Sequence, residues 1–165
     1  MKLKHLNHIH STVKQYITSE VREDGLLRDV ETVIPISLND SYIDVPAVWI
    51  VQHPTVQYGK ANLAHILTLK TTFEFVCIDY DSDLEIAVDK SQNLAARVGA
   101  SVLKNFNKRE FNPPKIDRLF KKIDFNTFYP VGEIQIKGKA NKVPATGIVF
   151  DFIHDIDWIK CCKKR

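Results

Sequence analysis

Four groups of residues in this chain have side chains able to do chemistry. His5, His8 and His10 lie close together, and on a helix His5 and His8 share a side, as a metal-binding pair would. No carboxylate or Cys at helical spacing completes that site, so a polar helix face is the expected reading. Asp79, Asp81, Asp83 and Glu85 alternate like the first ligands of a calcium loop. Such a loop needs Gly at its sixth position and Glu at its twelfth. Counted from Asp79 those positions hold Leu84 and Lys90, so the acids are expected to open a helix, where carboxylates offset the positive end of its dipole. Glu133-Ile134-Gln135-Ile136-Lys137 comes nearest to a metal-dependent nuclease strand, in which an acid and a Lys two residues apart reach one metal-bound water. Gln135 stands where that acid belongs, and the upstream Asp117 and Asp124 have no fixed relation to Glu133 and Lys137. Asp151, Asp155 and Asp157 share one face of the last apolar segment. That row would hold a cation or meet a basic neighbour, and is otherwise the wet side of a strand.

Nucleophiles are equally sparse. Cys77 sits mid-strand on an apolar face, surroundings that keep a thiol inert. No Gly-x-Ser-x-Gly elbow, Walker loop or Gly-x-Gly-x-x-Gly occurs. Cys161 and Cys162 are adjacent, in a basic tail that lacks the aliphatic residues of a prenylation box. With three Cys in all, no disulfide framework or zinc spacing follows, which fits a reducing compartment. Met1-Lys2-Leu3-Lys4-His5 leads into no apolar run, so no secretory signal is expected, and no stretch is apolar enough to span a membrane. The 165 residues suit one domain, and the 44% hydrophobic and 26% charged content is globular rather than disordered. A net charge of +3 is too small a bias to predict nucleic-acid binding.

The elements that would position these residues are clear in outline. Leu3, Leu6, Ile9, Val13, Ile17 and Val21 form an amphipathic stripe, predicting a helix over about 3–23 that stops at Asp24-Gly25 in a left-handed cap. From Val30 to Tyr80 the pattern turns to strands: a short run at 33–36, a second at 42–52 and an unusually long third at 66–80. On the third, Leu67, Leu69, Thr71, Phe73, Phe75 and Cys77 alternate onto one face. Ser82 and Glu85 form a capping box, and Leu84, Val88, Leu94, Val98, Val102 and Phe106 predict a helix over about 83–106. Ala87, Ala95, Ala96, Gly99 and Ala100 permit its close approach to a sheet. Asn112-Pro113-Pro114 breaks the chain and 120–128 is ambiguous. A strand is expected at 131–137, a polar turn at 138–147 and a last strand at 146–158, with Ile148, Phe150, Phe152, Ile156 and Trp158 on one face and Val149 and Ile153 opposite. The sum is a single α+β domain: a mainly antiparallel sheet against a long amphipathic helix, with an N-terminal helix and a projecting β-hairpin over about 129–158.

Strands usually have about five or six residues. The third and last are roughly twice that length, and strands so long project beyond a small core. A projecting apolar hairpin needs a cover, and a neighbouring subunit is the natural one. The expected interface residues are Lys137, Lys139, Asn141 and Lys142 at the hairpin tip, and Val149, Asp151 and Ile153 on the second face of the last strand. The tip lysines would otherwise touch nucleic acid or form a solvated turn.

This element order resembles that of tailed-virus tail terminator, or tail completion, proteins. The likeness is nearest where the strand from Leu67 to Tyr80 passes through Asp81-Ser82 into a helix carrying Leu94-Ala95-Ala96-Arg97-Val98, and Ala47-Val48-Trp49-Ile50 looks like the family's early apolar strand. It covers roughly residues 3–157; the long 112–145 region departs from shorter members. The resemblance implies a structural virion protein rather than an enzyme, without cofactor or membrane. It implies a homo-oligomeric ring, commonly hexameric, at the head-proximal end of the tail tube. There the ring would end tube polymerisation, meet the tail tube protein and the head-side connector, and let genome DNA pass through its lumen ungripped. Ring closure needs a heterologous, head-to-tail interface. A head-completion or neck adaptor uses similar small rings, and the metal-dependent nuclease is the alternative of another class.

Overall fold

A computed structural model describes residues 4–35, 44–59, 65–108, 110–111, 119–135 and 142–157. The first helix, α1, is Lys4–Thr18, shorter than its apolar stripe predicts. Beyond Thr18 the backbone closes into turns, with Glu20 N donating to Ile17 O and Leu27 N to Glu20 O, both at 3.0 Å. Thr18 and Ser19 are weak helix formers, and the turns bring Leu27 and Val30 into the core. Gly25 is required by proximity rather than by a left-handed cap, because a Cβ there would lie 2.1 Å from the Glu20 carbonyl oxygen.

Among the described residues six strands follow in one sheet. They are β1 (Thr32–Pro35), β2 (Ala47–Gln52), β3 (Val56–Gln57), β4 (Ile66–Ile78), β5 (Lys122–Gln135) and β6 (Lys142–Asp157), with helix α2 (Leu84–Phe106) between β4 and β5. The strand order is β1-β2-β4-β6-β5, and β3 pairs with β4 beyond the end of β2. Only β1 and β2 run parallel; the other pairings are antiparallel. The α+β class and the mainly antiparallel sheet therefore stand as expected.

The sheet is apolar on both sides. On one side α1 and α2 cover Val48 and Ile50 of β2, Phe73, Phe75 and Cys77 of β4, and Ile148, Phe150 and Phe152 of β6. Gly99 sets the spacing there, since a Cβ on it would stand 2.7 Å from Ile148 Cδ1. On the other side Val76, Ile78, Val143 and Ala145 form a second buried cluster, with Trp49, Val51 and Val131 against it. The long α2, about 35 Å at 1.5 Å per residue, is capped by Asp83, whose carboxylate accepts from Glu85 N and Ile86 N. The cap thus falls one residue after the expected Ser82, because Asp81 Oδ1 takes the Ser82 hydroxyl and Asp83 N into its own turn.

The hairpin departs from expectation. β6 lies inside the sheet, not on an arm: residues 145–157 pair with β4 on one side while β5 pairs on the other. Among the described residues only Lys142–Pro144, with their β5 partners Glu133–Gln135, run past the end of β4. The expected turn shortens, because Gly147 is a strand residue beneath Tyr129, whose ring atoms would meet a Cβ at 2.8 and 2.9 Å. The ambiguous 120–128 stretch opens β5, where a bulge between Phe125 and Thr127 breaks the two-residue period. The break at Asn112-Pro113-Pro114 and the strand end at Trp158 lie outside the described residues.

Candidate interaction surface

Of the seven expected interface residues, Lys137, Lys139 and Asn141 lie outside the described residues, and Lys142 is exposed at the start of β6. Val149 and Ile153 are buried on the sheet side away from the helices. Asp151 between them is tied down within the chain: it accepts from Thr72 Oγ1 at 2.5 Å, Asn126 Nδ2 at 3.2 Å and Lys70 Nζ at 3.4 Å. Asp155 likewise accepts from Thr68 Oγ1 at 2.7 Å and meets Lys121 Nζ at 2.8 Å. This carboxylate row therefore stitches β6 to β4 and β5. Nearby, Tyr129 donates to Glu74, and His53 lies 3.0 Å from the same carboxyl group. Burial and the Glu74 carboxylate together push the Tyr129 phenol up to about 12.

A surface the sequence reading left unassigned lies along β5. Among the described residues no strand pairs with its outer side, yet strand addition is discouraged by Pro130, by bulges at Phe125/Thr127 and Pro130/Gly132, and by Lys122, Asp124 and Glu133. What it offers instead are side chains. Phe125 is 59% exposed and Phe128 43%, although Phe125 also stacks edge-on against Phe150 at 5.8 Å. Leu103 is exposed on α2, one turn beyond the Gly99 contact with β6 and so on the flank nearest this edge. Two large aromatics this exposed on a strand edge are a docking feature.

A second surface lies where β4 gives way to α2. A cleft of about 660 Å³ has Asp29, Asp79, Ile86, Asp89, Lys90 and Arg97 on its walls. The chelate-like pair of Arg97 and Asp29 closes one side, with the second contact at 3.0 Å. Lys90 is drawn 2.7 Å from Asp81 on the other. These contacts hold the Asp29 and Asp81 carboxyls below the usual range and raise the Lys90 ammonium. Asp79 is only 9% exposed, and burial pushes its carboxyl up. It accepts one hydrogen bond, from Tyr80 N at 2.7 Å, and among the described residues no cation reaches ion-pair distance.

The residues singled out for catalysis are not brought together. Asp124 pairs with Lys122 at 2.8 Å and lies nine residues from Glu133 along one strand, a separation of roughly 30 Å. Lys137 and Asp117 fall outside the described residues. His8 is exposed, while His10 turns to Gln52 Oε1 at 3.1 Å and to the Phe73 ring. Cys77 is fully buried, and desolvation drives its thiol pKa far up. Among the described residues no group of three or more His, Cys, Asp or Glu side chains is placed to hold a metal, and no helix is long and apolar enough to cross a membrane. No known protein family and no curated protein matches the sequence.

Proposed function

We propose that this chain is a structural virion protein that works by docking against copies of itself, closing a ring at the head-proximal end of a viral tail tube. There it ends tube polymerisation and joins the tail to the head-side connector. The observation that carries the reading is the β5 edge, where Phe125 and Phe128 stand exposed on a strand whose backbone is defended against addition. Such a surface suits side-chain packing into a differently shaped patch on a neighbour, which is the heterologous contact that closes rings. An open sheet covered by helices on one side, and a long strand leading through an acid-rich turn into α2, agree with the terminator-like element order.

Native mass spectrometry and electron microscopy of the purified chain, alone and with tail tubes, test this. Rings of a multiple of 18.9 kDa, or end-caps on tubes, are expected. Phe125→Ser with Phe128→Ser should leave thermal unfolding within a few degrees of the parent while abolishing the assembly. A chain that stays monomeric at high concentration and ignores tube ends would refute the reading.

A further inference from the structure

We propose that the cleft at the start of α2 is the acceptor for the basic segment 158–165 of a neighbouring copy. The inference rests on the self-assembly proposed above and assigns it a second contact. Inside the cleft, the two cations are already committed, Arg97 to Asp29 and Lys90 to Asp81. Asp79 and Asp89 form no ion pair among the described residues; Lys90 and Arg97 act on Asp79 only from beyond ion-pair distance and do not offset its burial, and Asp79 is nine-tenths buried on the cleft wall. A buried carboxylate without a cation in contact is a costly arrangement that an incoming ammonium or guanidinium relieves. Ile86, half exposed on the same wall, offers apolar contact beside it.

The complementary group is in the sequence. Residues 158–165 read Trp-Ile-Lys-Cys-Cys-Lys-Lys-Arg, with Lys160, Lys163, Lys164 and Arg165 as four cations and no acid. The sheet register decides which copy can supply it. Ile78, one residue before Asp79, pairs with Ala145, whereas Asp157 pairs with Ile66 at the far end of β4. Twelve strand steps separate the two levels, about 40 Å at 3.3 Å per residue. Eight residues beyond Asp157, even fully extended, carry Arg165 only ~28 Å. The shortfall exceeds the length of an Arg side chain, so the segment cannot reach Asp79 of its own chain. Only a second copy, set head to tail, brings donor and acceptor together, and such a contact is heterologous.

The test titrates a fluorescent synthetic peptide spanning Asp157 to Arg165 into the full-length chain, in reductant, at low and at moderate salt. Saturable binding that weakens with salt is expected, with about a tenfold loss in Asp79→Asn/Asp89→Asn, the worth of two partly exposed charge pairs. Asp89 is exposed, so Asp89→Lys alone keeps the fold and should also weaken binding. It should regain binding to a peptide with Glu at positions 160 and 163. Peptide that fails to bind, or binds all variants equally, overturns the assignment. If rings still form from chains lacking 158–165, the assignment falls and the ring reading stands. If the peptide binds the cleft specifically but the full chain never associates with itself or with tubes, the ring reading falls and the acceptor site stands.

Discussion

Glu20 is the most informative position for a stability measurement. Its side chain is fully buried at the end of α1, where Oε2 accepts from Lys104 Nζ at 2.9 Å and Leu26 N at 3.3 Å, and Oε1 from Asn105 Nδ2 at 3.2 Å. Glu20→Gln keeps the shape and removes the charge. An amide has one acceptor oxygen, so its NH2 must face either Leu26 N and Lys104 or Asn105 and Lys108, donor against donor in both cases. The second placement costs less, because Asn105 Nδ2 keeps its bond to Tyr16 O at 2.9 Å. Breaking a fully buried ion pair costs about 3–5 kcal/mol. Here Lys104 and Lys108 are 44% and 31% exposed, and water recovers part of that loss. A net cost of about 2 kcal/mol is expected, close to one charge-assisted hydrogen bond. The effect depends on pH. Burial works against the Glu20 charge, but the Lys104, Leu26 and Asn105 donors outweigh it and hold the folded carboxyl below its ordinary value. Its contribution is therefore complete above the unfolded value of about 4.3 and is lost as pH falls through the lower folded value. Urea unfolding at fixed protomer concentration should show the variant's midpoint about 1 M lower at pH 7, for a slope of about 2 kcal/mol/M. The gap should narrow progressively as pH falls below about 4.3. A difference under about 0.5 kcal/mol at pH 7, the level of a neutral surface change, or a gap that persists unchanged into acid, would refute this account.

Further outcomes follow from the same packing. Phe150 is buried on the helix side of β6 against Phe75 and Phe125, so Phe150→Ala should cost about 3–5 kcal/mol in denaturant unfolding. Tyr129 is expected to ionise near 12 rather than near 10. The difference in alkaline absorbance titration between the parent and Tyr129→Phe should show that late phase, and because the raised phenol value stabilises the fold below pH 10, that share of stability fades as pH rises through 12.

Element types were legible because burial imposes a local period. The stripes on α1 and α2 and the alternation on β4 and β6 follow directly from which side chains leave water. Ile148, Phe150, Phe152 and Ile156 share a face as the pattern predicted, with Val149 and Ile153 buried opposite. Where a side chain answers to a partner distant in sequence, no local period reports it. Gly147 reads as a turn residue and is a strand residue under Tyr129; the apolar stripe runs on to Val21, yet α1 ends at Thr18, and Glu20 in the turn beyond meets Lys104 and Asn105 of α2. Pairing order belongs to the same class. That β6 lies between β4 and β5, leaving Phe125 and Phe128 exposed on the outer strand of the described sheet, is a matter of contacts between segments far apart in sequence. The acid-rich turn before α2 was visible as a run of Asp residues, but the cleft was not, since it needs Asp29 and Arg97, from separate elements, beside Asp79. Hydrophobic periodicity is a property of neighbours along the chain, and it determined what the segments are; exposure and counter-charge are properties of neighbours in space, so the tertiary structure alone decided which surfaces remain to be met.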